Sequence, residues 1–85
     1  MWMTSKAQKL YLAIEHLGAG QLTERSLRDA TRLSHGSFIA ARKELRQMKL
    51  LDIEQIHRKP HYSLMNPELA AKAIADSTAA ATKNI

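Results

Sequence analysis

Apolar residues return at three- and four-residue intervals through Ala7, Leu10, Tyr11, Ile14 and Leu17. That spacing lines one face of a helix, so a helix is predicted over residues 5–17, capped by Thr4 or Ser5 and stopped by Gly18 and Gly20. Lys6, Lys9 and Glu15 fall off the stripe. A shorter helix is predicted over 24–32, with Thr23 as N-cap and Glu24 in its first turn, where an acid suits the helix dipole. Leu27 and Ala30 face inward there, while Arg25, Arg28 and Arg32 recur as a basic stripe. After only Leu33 and Ser34, a third helix is predicted over 35–49. Ser34 caps it, and Phe38, Ala41, Leu45 and Met48 form its buried face. The opposite side holds Gly36, Ile39, Ala40, Lys43 and Gln47, flanked by Arg42 and Arg46.

Beyond residue 50 the period changes. Leu51, Ile53 and Ile56 read as one strand, and Tyr62, Leu64 and Met65 as its partner. Residues 57–61 (His57, Arg58, Lys59, Pro60 and His61) form a basic hairpin tip, where Pro60 removes no ladder donor. Asn66 and Pro67 then open an Ala-rich helix over 67–81, with Glu68 in its first turn, Leu69, Ala73 and Ile74 as a weak apolar face, and 82–85 fraying. The expected fold is mainly α with a small β-hairpin, in one domain spanning residues 1–85: an N-terminal helix, a central motif over 22–65 and a C-terminal helix.

Composition narrows the chemistry. The 85 residues include no cysteine, which excludes disulfides, thiolate metal sites and cysteine nucleophiles, and points to a reducing, cytoplasmic setting. No apolar run approaches a membrane span. The stretch 10–17 is broken by Glu15 and His16, so no signal peptide is expected. The net charge is +5, and the cations and acids between residues 25 and 59 account for all of it. So local a basic field attracts a polyanion. Ser34, His35 and Ser37 lack an orienting third group, and no glycine-rich phosphate loop exists, so no enzyme, cofactor or small-molecule substrate is expected. His57 and His61 sit across a hairpin with no acid between them, so no metal is expected. Trp2 is expected to pack on the domain or across a dimer.

The run LTERSLRDATRLSHGSFIAARKELRQMKLLD, residues 22–52, resembles the winged helix-turn-helix of many bacterial transcription regulators. Ser34, Gly36, Ser37, Phe38, Leu45, Leu50 and Leu51 carry the likeness; Lys49 departs from it, because the family commonly has Gly there. The resemblance implies a recognition helix from Ser34 to Arg46 lying in the major groove of duplex DNA. Gly36, Ser37, Ile39, Ala40 and Lys43 would then face base edges, with Ser34, His35, Arg42 and Arg46 beside them. His57, Arg58, Lys59 and His61 would form the wing, and Arg25 and Arg28 would clamp the backbone. The first and last helices would make a homodimer, giving a nucleoid-associated regulator that acts by occupying a promoter. The run HYSLMNPELAAKA, residues 61–73, is similar to the end of the winged domain in some plasmid replication initiators, which implies a role in plasmid or phage replication, partition or excision instead. Winged helices also serve as protein-interaction modules, and the basic third-helix face argues against that reading.

Overall fold

The computed structural model describes residues 2–18 and 20–83, with residues 78–83 given by their backbone. In chain order the elements are α1 (Ser5–Leu17), β1 (Gly20–Gln21), α2 (Glu24–Thr31), α3 (His35–Gln47), β2 (Leu51–Ile56), β3 (Lys59–Leu64) and α4 (Pro67–Lys83). The protein is mainly helical, with a small antiparallel sheet in the order β1-β3-β2. Among the described residues, no helix is long and apolar enough to cross a membrane.

Caps set the helix starts. The side chains of Thr4, Thr23 and Ser34 accept hydrogen bonds from the backbone N–H groups of Ala7, Ser26 and Ser37, satisfying donors that the first turn leaves free. The ends depend on left-handed residues. Arg32 takes φ 59° at the end of α2, and Lys49 takes φ 60° after α3. Around Lys49, Leu50 N–H donates to Leu45 C=O (3.0 Å) and Lys49 N–H donates to Arg46 C=O (3.1 Å). This is the Schellman pattern, closed by Leu45 and Leu50, both fully buried. The chain makes with a lysine the exit for which glycine is the usual residue. Both helices accordingly end short of expectation, α2 at Thr31 and α3 at Gln47.

The core gathers Ala7, Leu10, Tyr11 and Ile14 of α1, Leu27 of α2, and Phe38, Ala41 and Leu45 of α3. Tyr62, Ala70 and Ala73 close it from β3 and α4. One expectation fails here and another narrows. Ala30 is exposed, and Thr31 is buried in its place, its hydroxyl donating to Leu27 C=O (2.7 Å) and accepting from Leu33 N–H. Trp2 is 61% exposed, so the domain itself does not bury it, and a place across a dimer is left as the other expectation. Its neighbour Met3 is buried instead: Met3 N–H donates to Ser77 Oγ (2.8 Å), whose hydroxyl faces Met3 C=O (2.9 Å) and Ala73 C=O (2.8 Å). This strap fixes the start of the chain to α4.

The sheet is larger than a hairpin. Gly20, read from sequence as a helix stop, instead opens β1 and pairs with Tyr62, while Gln21 pairs with His61. Gly20 has φ +133°, a conformation reserved for glycine. The β2–β3 turn is tighter than expected, with only His57 and Arg58 between the paired residues Ile56 and Lys59. Lys59, Pro60 and His61 therefore belong to β3, not to the tip. Pro60 lies opposite Gln55, one step past the closing pair; ladder alternation turns its nitrogen away from β2 and past the end of β1. No ladder bond is lost. Asn66, expected as an N-cap, has φ 50°, and its side-chain amide donates to Lys49 C=O (2.8 Å), tying the entry of α4 to the exit of α3. Helix α4 runs two residues past the expected end, and Asn84 and Ile85 lie outside the described residues.

Candidate nucleic-acid interface

Helix α3 buries Phe38, Ala41 and Leu45 and turns its other side outward. On that side Gly36, Ala40, Lys43, Arg46 and Gln47 are exposed and Ile39 is half-buried. Ile39, Arg42, Lys43, Arg46 and Gln47 line a shallow hollow of 470 Å³. Arg42 is engaged within the domain, its guanidinium 5.5 Å from the centre of the Phe38 ring. The side chains of Lys43 and Arg46 make no hydrogen bond or ion pair within the described residues, so both charges face solvent uncompensated. A β-carbon added at Gly36 would meet nothing within 4 Å, so no internal packing requires the glycine.

The start of α3 is more constrained. Ser34 Oγ is committed to capping Ser37 N–H. Ser37 leans toward α1, where Lys6 Nζ donates to its hydroxyl at 3.1 Å. Lys6 is thus a cation beside α3 that sequence reasoning left out, since a lysine off an apolar stripe shows no sign of its target. His35 Nδ1 lies 2.5 Å from Glu24 Oε2, and Arg28 reaches the same oxygen at 3.4 Å while its Nε donates to Leu33 C=O at 3.1 Å. These three side chains lock α2 to α3 across their turn. The hydrogen bond from His35 holds the Glu24 carboxyl below its ordinary range; desolvation, the next effect in size, opposes it, and the charges of His35 and Arg28 add to the lowering. Arg28 is therefore a brace between the helices, whereas Arg25 is exposed and unpaired among the described residues. His35 is bound at one ring nitrogen yet keeps 66% of its side chain exposed.

The hairpin divides its basic residues. His57 and Arg58 occupy the turn with φ 51° and 65°. Two left-handed residues in a two-residue loop suit the twist of a hairpin, and Asn-Gly is the usual choice. Lys59 follows at the mouth of the turn, opposite Ile56. His61 does not reach the tip: it is half-buried in the central strand, paired in register with Glu54 on one side and Gln21 on the other. Among the residues expected to meet DNA, the structure thus leaves cations unpaired on the outer face of α3, at the hairpin end and at Arg25 of α2, and ties His35, Ser37, Arg28 and Ser34 into local bonds. Compared with protein-family models, curated proteins and solved structures, the chain matches none.

Proposed function

We propose that this protein is a winged helix that binds double-stranded DNA in a sequence-specific manner, with α3 in the major groove and the β2–β3 hairpin as the wing. The observation that carries the reading is the outer face of α3. It has small residues, Gly36 and Ala40, toward the start and unpaired cations, Lys43 and Arg46, further on. Small residues let a helix backbone sit deep in a groove roughly 12 Å wide, and long cations then reach phosphates or base edges. Ile39 offers an apolar contact for a thymine methyl. Arg25 on α2 and Arg58 and Lys59 on the hairpin add phosphate contacts. The lock of Glu24, Arg28 and His35 serves this reading by fixing the angle at which α3 is presented.

Regulation of transcription by occupying a promoter, as a homodimer in the nucleoid, is the simplest use of such a domain. Replication, partition or excision of a plasmid or phage is the second use, favoured by the likeness of residues 61–73 to replication initiators. The direct test is Lys43→Ala with Arg46→Ala. The double variant keeps the fold, because both side chains are exposed. It loses two phosphate or base contacts, and binding to a duplex should fall at least tenfold, about 1.4 kcal/mol. Unchanged binding by a folded double variant would remove α3 from the interface.

A further inference from the structure

Helix α1 carries a second surface that DNA binding does not use. Its core side, with Ala7, Leu10 and Ile14, packs inward against the rest of the domain, including α3. Leu12 stands on the opposite side and is 43% exposed; Leu17, five residues on at the end of the helix, is 45% exposed. Between α1 and α2, Leu12, Leu17, Ala13 and Ala30 line a groove of 440 Å³. Its rim is formed by Lys9, His16 and Arg32, and no carboxylate lines it. The side chains of Lys9 and Arg32 make no hydrogen bond or ion pair within the described residues. Arg32 also takes a left-handed backbone conformation, φ 59°, which most side chains avoid. An exposed apolar strip bordered by uncompensated cations is complementary to an apolar ligand that carries carboxylates.

We infer that this groove docks an acidic amphipathic helix of a partner protein, placing Leu or Phe side chains between Leu12 and Leu17 and carboxylates against Lys9 and Arg32. A second copy fits poorly on the same face, because a twofold contact would bring together two grooves that both carry Lys9 and Arg32 and no carboxylate. A small molecule also fits poorly. Ligand pockets enclose most of their guest, and a groove whose two leucines stay over two-fifths exposed cannot. Helix-in-groove recognition needs only a shallow apolar track with polar borders. Because the outer side of α1 is turned away from α3, the partner and DNA can be held together, which would let a chain this short bring a second protein to its DNA site. The inference does not depend on the DNA reading.

The test is selection from a displayed library of random 16-residue peptides against the whole chain, followed by nuclear magnetic resonance mapping of the enriched peptides. The expected result is enrichment of peptides with Leu, Ile or Phe at helical spacing and Asp or Glu beside them. Their amide shift changes should concentrate on residues 9–17 and 30–32. Lys9→Glu with Arg32→Glu should weaken binding about tenfold, the scale of two exposed charge pairs reversed. Leu12→Asp should abolish binding while leaving the melting temperature and any duplex binding unchanged. Failure to enrich, a footprint on α3, binding indifferent to the charge reversal, or self-association of the chain through Leu12 would each overturn the inference.

Discussion

Gly36 separates what the fold needs from what the proposed function needs. It is the second residue of α3, exposed, with open space where a β-carbon would point. Nothing in the domain is served by its lack of a side chain, and glycine in a helix costs about 0.5–1 kcal/mol relative to alanine. Gly36→Ala should therefore stabilise the protein by about that amount, raising the melting temperature by about 2–8 °C for a domain of this size. Gln is also a good helix former, so Gly36→Gln should stabilise too. Duplex binding should move the opposite way. A long side chain where the helix backbone meets the groove should weaken binding at least tenfold, about 1.4 kcal/mol, with Ala weakening it less. Urea and thermal unfolding followed by circular dichroism give the first quantity, and fluorescence anisotropy on a labelled duplex gives the second. Lower stability in both variants would refute the reading of Gly36 as structurally idle. Higher stability with unchanged binding would refute the placement of the start of α3 against DNA.

Lys49→Gly relieves a left-handed residue of its β-carbon and should stabilise the domain by about 1 kcal/mol, measured by urea unfolding. Glu44 accepts from both the N–H (3.0 Å) and the hydroxyl (2.8 Å) of Thr4, so Glu44→Ala should loosen the start of α1 and destabilise by about 1–3 kcal/mol, read as a lower unfolding midpoint. Because the folded state depresses the Glu24 carboxyl, its contribution to stability is complete above the ordinary value of 4.5 and disappears as pH falls through the lowered one. Glu24→Gln should therefore flatten the acid limb of a stability-versus-pH curve relative to the parent. Arg58→Ala with Lys59→Ala should reduce the slope of log affinity against log salt by about two phosphate contacts, while an unchanged slope removes the hairpin from the interface.

The helices were legible because their signals are local. The spacing from Ala7 to Leu17 gave α1 its bounds, and Thr23 and Ser34 announced α2 and α3 through the hydroxyl that each supplies to a free N–H. The outer face of α3 followed from the wheel. Features that join distant residues left no such mark. A two-residue strand such as β1 has no periodicity, so its pairing with Tyr62 and His61 is a property of the assembled sheet. The lock of Glu24, Arg28 and His35 spans two helices, and i,i+4 spacing can signal only its Glu24–Arg28 half. The left-handed residues were hidden because they are Arg, Lys, His and Asn where glycine would have signalled a turn. His61 was placed on the tip because a turn of unknown length had to be drawn between two apolar runs. Two left-handed residues shortened that turn to His57 and Arg58 and carried His61 into the central strand.

The central claim, that α3 reads duplex DNA, is tested most directly by offering the chain a random-sequence duplex pool at near-physiological salt and sequencing what it retains. Enrichment of a defined motif is expected, lost when Lys43 and Arg46 are replaced. An inverted repeat would favour a dimeric regulator, and direct repeats would favour replication or partition. Retention without any enriched sequence would contradict specific reading by α3, and no retention would contradict DNA binding altogether.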